Sequence, residues 1–203
     1  MATEGFAGDT PSGVMFGSMT MGVPLRALII EDSEIDALLL ILELKQAGYE
    51  PFPERVETAA AVRLALQNNS WDIILCDYCL PNLTGLEALA IVRENGNDIP
   101  FILISGAIGE EVAVEAMKAG ANDYIMKDRR QRLIPAVERE LREAALRREH
   151  RHIEAALRES EGKFRLLIEN APDAVFVQSG ERLAYVNPAA VRLFGAESAH
   201  ALL

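Results

Sequence analysis

The chain has 203 residues, half of them hydrophobic and a quarter charged, with a formal net charge of −11. That is enough for one full domain and part of another, with the composition of an ordinary soluble globular chain. The negative balance opposes contact with nucleic acid or anionic membrane, no apolar run approaches the ~20 residues of a bilayer crossing, and two cysteines do not make a disulfide framework.

The charge is uneven. Lys127 to Arg165 holds 12 basic against 8 acidic residues, which reads as a solvated helix face rather than a nucleic-acid contact. No lysine or arginine precedes Arg26, so the basic start of a secretory signal is missing and a cytoplasmic location is expected.

Residues 1–24, rich in Gly, Ser, Thr and Met, show neither helical nor strand periodicity and read as a disordered leader. From Leu25 short apolar runs alternate with helical stretches. "LRALII" (25–30) reads as a buried strand and "SEIDALLLILELKQAG" (33–48) as a helix, with Ser33 as cap, Asp36 three residues on, and Gly48 as the stop. "EPFPERV" (50–56) carries two prolines that remove backbone donors, so this strand is expected at a sheet edge. A helix over 58–69 and a strand buried on both faces, "WDIILCD" (71–77), follow. Next come a helix from Gly85 to Arg93, the strand "FILIS" (101–105), a helix over Glu110–Ala119 and the strand "DYIM" (123–126). Five strands alternating with helices predict an α/β fold with a parallel sheet and right-handed crossovers.

Ligands of such a sheet sit where the strands deliver their carboxyl ends. Glu31 and Asp32 follow the first strand, Asp77 ends the third, Ser105 ends the fourth, and Lys127 follows the fifth. Taken singly, each acid is an ordinary solvated loop residue; their joint placement is the signal. Two carboxylates ~5 Å apart repel by roughly 3 kcal/mol at an effective dielectric near 20. A third adds to this, so the bare pocket is expected to be strained or partly protonated. A hard divalent cation relieves the repulsion, and oxygen-only ligands with room for waters suit Mg²⁺. A carboxylate beside a metal, a point cation and a hydroxyl suits phosphoryl transfer.

With these residues in place, Leu25 to about Leu141 resembles the receiver domain of two-component response regulators. The D-x-x-L-P-x-x-x-G arrangement stands as Asp77, Leu80, Pro81 and Gly85; the acidic pair as Glu31-Asp32; the switch positions as Ser105 and Tyr124; the lysine as Lys127. The resemblance implies a flavodoxin-like, doubly wound five-stranded sheet of order 2-1-3-4-5. It implies that Asp77 accepts a phosphoryl group from a histidine kinase or phosphotransfer protein. Asp32, Asp77 and the Cys79 backbone carbonyl would hold Mg²⁺, with Glu31 acting mainly through water. Lys127 and Ser105 would hold phosphoryl oxygens, and Tyr124 would turn inward as Ser105 moves, remodelling the face of fourth helix, fifth strand and fifth helix. Asp128 stands where the family often has proline, which leaves the turn into the last helix less defined.

Cys76 and Cys79 have the C-x-x-C spacing of a redox pair or half a zinc site. A redox thiol needs a helix N-terminus, and zinc needs two further N or S ligands. Cys76 lies instead in a buried strand beside a carboxylate, so the expected chemistry belongs to Asp77.

From Arg129 to about Glu169 the chain is dense in Arg, Glu, Ala and Leu, with Pro135 either starting a helix or marking a bend. A heptad register places Leu146, Ile153, Ser160 and Leu167 at one core position, and His150, Leu157 and Phe164 at the other. That suggests a helical or coiled-coil linker over 142–163; an amphipathic helix packed on its own domain is the alternative. "REHRHIEAAL" lacks the H-E-x-R-x-P-L arrangement of kinase histidines. Residues 164–203 resemble the opening of a PAS domain, on "NAPD" and "YVNPAA", with strands in "NAPDAVFV" and "RLAYVN" and a helix in "PAAVRLFG". The strands that would complete that sheet do not follow, so the chain reads as cut within its second domain.

The expected function is a phosphoreceiver switch controlling a downstream PAS or output module, with no enzymatic activity beyond its own phosphorylation and dephosphorylation. A homodimer through the 4-5-5 face or the linker helix stays open. The alternatives are the N-terminal part of a hybrid sensor histidine kinase or nucleotide cyclase, and a pseudo-receiver that only binds.

Overall fold

The computed structural model describes residues 22–94, 96–106, 110–180 and 182–203. Most of the leader therefore lies outside the described residues. Its last three positions do not: strand β1 spans Val23–Ile30, so Val23 and Pro24 are sheet residues, and Val23 N–H donates to Gly48 O. The order continues with α1 (Glu34–Gln46), β2 (Tyr49–Val56), α2 (Ala59–Asn68) and β3 (Ile73–Asp77). After the two-residue strands β4 (Cys79–Leu80) and β5 (Leu83–Thr84) come α3 (Gly85–Arg93), β6 (Phe101–Ser105), α4 (Glu110–Lys118) and β7 (Asp123–Met126).

The main sheet runs β2-β1-β3-β6-β7, all pairs parallel. Without the small β4-β5 ribbon, which the sequence pattern does not announce, this is the expected 2-1-3-4-5 order. β2 lies at the edge, where Pro51 and Pro53 cost no ladder bond to a further strand.

Alternation along the strands builds a core on each face. Leu28, Ile30, Ile74, Cys76, Phe101 and Leu103 face α2 and α3; Ala27, Ile29, Ile73, Leu75, Ile102 and Ile104 face α1 and the start of α5. Phe101 and Leu28 are fully buried, as a sheet covered on both sides requires.

Local chemistry sets the helix starts. Ser33 accepts from Asp36 N–H, Thr58 from Ala61 N–H, and Thr84 forms a full capping box with Glu87. Gly48 takes φ +89 after α1, a value that favours glycine. After β7 the chain makes a 3₁₀ turn, Lys127–Arg132, kinked at Arg129, before α5 (Leu133–Glu169), so Pro135 sits within the first turn of that helix.

The chain divides into two compact units between Leu141 and Arg142, a division that falls inside α5. In the second unit, β8 (Phe176–Ser179) and β9 (Arg182–Val186) form an antiparallel pair, followed by α6 (Pro188–Leu193). The fully buried Asn187 ties it together. Its Nδ2 donates to Ile168 O and Asp173 O, while its Oδ1 accepts from Val175 N–H and from Ala190 N–H at the start of α6. All four capacities of the amide are used. On α5, Leu146, Ile153, Leu157, Phe164 and Leu167 are all exposed.

Candidate functional site

Every strand that could deliver a reactive group to the carboxyl edge does so. Glu31 follows β1 with its side chain buried; Oε1 accepts from Ser33 N–H at 3.1 Å. Asp32, next in the chain, is exposed. Arg55 at the end of β2 clamps this turn by donating to the carbonyls of Glu31 (2.9 Å) and Asp32 (3.3 Å). Asp77, only 7 % exposed at the end of β3, accepts from Cys79 N–H at 3.3 Å through Oδ1. Carboxylate oxygens of Glu31, Asp32 and Asp77 lie within 4.8 Å of one another.

Lys127, just past β7, reaches into this group. Its Nζ donates to Asp77 Oδ2 at 2.8 Å and to Glu31 Oε2 at 3.4 Å. Ser105 is buried at the end of β6, one residue beyond Ile104, which pairs with Asp77 in register. Tyr124 is half-buried against the core cluster that includes Leu103 and Ala116.

The electrostatics follow from the crowding. Burial pushes the Glu31 carboxyl up; the Ser33 amide opposes this, the Asp77 charge adds to it, and Lys127 opposes it. Burial works against the Lys127 ammonium, but hydrogen bonds to Asp36 and Asp77, with the charges of Asp77 and Glu31, hold it above its ordinary value. Cys76 is fully buried, and that burial, with the charges of Asp77 and Glu31, pushes its thiol well up; Cys79 is exposed. No thiolate is available at neutral pH from Cys76, which removes the redox reading of the pair.

Two features escaped the sequence reading. Asp36, read only as a capping residue, sends Oδ2 to Lys127 Nζ at 2.7 Å and Oδ1 to Arg130 at 3.3 Å. Arg55 is the second; nothing in the spacing of an edge strand reveals a clamp on the neighbouring turn.

The donor set fits a hard divalent cation. Three carboxylates converge, one of them exposed and so open to water, and the adjacent thiol is kept protonated.

Residues 27–138 match the sequence model of the response regulator receiver domain. The chain belongs to this family. Its receiver domain is a two-component signalling module, and residues 162–203 match the PAS domain model. Over 105 residues the chain is 28% identical to chemotaxis protein CheY1 of Helicobacter pylori, covering 51% of this chain and 85% of that protein. It is 30% identical over 105 residues to the phosphate regulon transcriptional regulatory protein PhoB of Klebsiella pneumoniae, covering 50% of this chain and 44% of the relative. The chain spans less than half the length of the transcriptional regulators it matches, 43% in a Picosynechococcus example. Among solved structures, the receiver domain of sensor histidine kinase PA1611 from Pseudomonas aeruginosa PAO1 is 25% identical. It matches with a TM-score of 0.50 over 59% of this chain and 98% of that one, and that structure has a magnesium ion coordinated in its active site cleft.

Proposed function

We propose that this receiver domain accepts a phosphoryl group on Asp77 from the phosphohistidine of a histidine kinase or phosphotransfer protein. The observation that carries this reading is the shared contact of Lys127 with Asp77 and Glu31 beside an exposed Asp32. A bond forms between an Asp77 carboxylate oxygen and phosphorus. The P–N bond of the donor breaks, and the imidazole nitrogen leaves with the bonding pair and stays neutral or takes a proton.

Lys127 supplies a fixed positive charge for the phosphoryl oxygens, and Ser105 a hydroxyl donor. Glu31, Asp32, Asp77 and the Cys79 carbonyl are the residues that would hold Mg²⁺. Bound there, the ion neutralises charge on the transferring group and the acids together. Burial of Asp77 limits the approach of water to the acyl phosphate.

The signal leaves through Ser105 and Tyr124, which lie on the paired strands β6 and β7, toward the face of α4, β7 and α5. We assign 25–141 to the receiver, 142–163 to the linker and 164–203 to the PAS segment, with a cytoplasmic location for this chain, a histidine kinase or phosphotransfer protein as donor and the PAS segment as the element controlled. A second copy pairing through the exposed seam of α5 or through the α4-β7-α5 face completes the reading; sizing with and without beryllofluoride reads out both. A pseudo-receiver is disfavoured because none of the acids or the lysine is replaced.

The test is incubation with acetyl phosphate or phosphoramidate and Mg²⁺. Wild type takes up phosphate and Asp77→Asn does not. Equal labelling of the variant would remove the assignment.

A further inference from the structure

Lys127 has one more anionic partner than the proposed chemistry uses. An ammonium carries three N–H donors, and here all three are engaged: Asp36 at 2.7 Å, Asp77 at 2.8 Å and Glu31 at 3.4 Å. Two of these partners belong to the carboxylate group that could hold an ion; Asp36 stands outside it.

Asp36 is well placed to hold a charge in one position. It lies in the first turn of α1, fixed by the Ser33 cap on its own backbone N–H. Its second oxygen is held by Arg130, which follows Lys127 in the 3₁₀ turn and also approaches Glu43 a further two turns along α1 at 3.8 Å. The hydrogen bond from Lys127 keeps the Asp36 carboxyl below its ordinary value, so it stays anionic.

A lysine side chain is a point charge on a flexible stem. A cation held by Glu31 and Asp77 would take part of their hold on Lys127. Phosphorylation would then make the Asp77 oxygen part of an acyl phosphate, with the negative charge carried by the phosphoryl group instead of the carboxylate. Of the three carboxylates, Asp36 alone neither lies in the group that would hold the ion nor takes the phosphoryl group, so its contact with Lys127 is untouched by both steps.

We infer that Asp36 is a positioning residue: together with Arg130 it holds the Lys127 ammonium over Asp77, where the phosphoryl oxygens arrive. The inference rests on the receiver reading of Asp77.

The test measures beryllofluoride affinity at saturating Mg²⁺, and Mg²⁺ affinity alone, on the full chain. The variants are Asp36→Asn, Asp36→Glu, Lys127→Ala and the Asp36→Asn/Lys127→Ala double. Asn keeps the shape of Asp and leaves the Ser33 cap intact, and circular dichroism verifies the fold. Asp36→Asn is expected to weaken beryllofluoride about tenfold, the low end for loss of an orienting partner, with Mg²⁺ affinity changed much less. Asp36→Glu, which keeps the charge, restores most of the affinity. In the Lys127→Ala background the same substitution adds no further loss, because the group it positions is gone. An Asp36→Asn variant that binds beryllofluoride like wild type overturns the inference, as does an equal loss without Lys127, or an Asp36→Glu variant as weak as the Asn one. A wild-type chain that binds no beryllofluoride sinks the receiver reading itself, and the inference with it.

Discussion

Lys127 Nζ lies 2.8 Å from Asp77 Oδ2 although the strands that deliver them, β7 and β3, are separated by β6. The lysine therefore crosses the end of a strand to reach a carboxylate 50 positions away in sequence. It serves as the internal counter-ion of an acidic pocket and is itself only 22 % exposed.

Lys127→Ala leaves Asp77, Glu31 and Asp36 with no ammonium. In metal-free buffer the variant is expected to lose about 2 kcal/mol of stability, between the values for an exposed pair and a buried one. Mg²⁺ recovers part of that loss. Urea unfolding with and without the ion measures both, and a variant as stable as wild type without metal would mean the contact contributes nothing.

Mg²⁺ should raise the thermal midpoint of the wild-type chain, and EDTA should reverse the shift. At ten times the dissociation constant the gain is about 1.4 kcal/mol. Asp32→Asn, which removes the exposed member of the acid group, reduces the shift without disturbing the core. Wild-type and variant curves that respond identically to millimolar Mg²⁺ would exclude Asp32 from the ion's shell.

The Asp36–Lys127 contact has a pH signature. Lys127, and to a lesser degree Arg130, hold the Asp36 carboxyl below the ordinary 3.8. A depressed acid contributes stability above its unfolded value and loses it as the pH falls through the folded one. The stability difference between wild type and Asp36→Asn is therefore full near neutrality and closes as the pH falls below 3.8. Chemical denaturation at a series of pH values checks this; a gap that persists in acid points to packing, not charge.

Gly85 opens α3 in a space with no room for a side chain. A Cβ there would collide with Leu103 and stand 3.0 Å from Tyr78 Cα and 3.2 Å from Asp77 O. Gly85→Ala should cost about 1–3 kcal/mol as an overpacking change, and should also impair Asp77 labelling by moving the loop after β3. A fully stable, normally labelled variant would show that the loop yields freely.

Much of the fold was legible because both sheet faces are covered. Runs such as "FILIS" and "IILCD" can only be buried strands when helices flank them, and the observed strands Phe101–Ser105 and Ile73–Asp77 lie within a residue or two of the expected ones. The site was legible for a related reason: parallel strands deliver their ends to one edge, so acids after β1 and β3 and a lysine after β7 converge whatever the loops do. Asp36 was not. Sequence gives its period on α1 but not that its side chain crosses to a residue 91 positions later. The β4–β5 ribbon was equally hidden, since two-residue strands have no period to read. The beginning of β1 at Val23 was missed because Gly22 and Pro24 resemble loop punctuation; β1 pairs with β3 only from Ala27 onward, so Val23 and Pro24 extend it along β2 alone.

The central claim is that Asp77 carries the phosphoryl group, and borohydride trapping tests it most directly. The chain is treated with phosphodonor and Mg²⁺, then with tritiated borohydride, which reduces an acyl phosphate to an alcohol but leaves free carboxylates untouched. Peptide sequencing should find the label as homoserine at position 77 and nowhere else, only when Mg²⁺ was present. Label at Glu31 or Asp32, or none at all in a folded, Mg²⁺-loaded chain, would contradict the assignment.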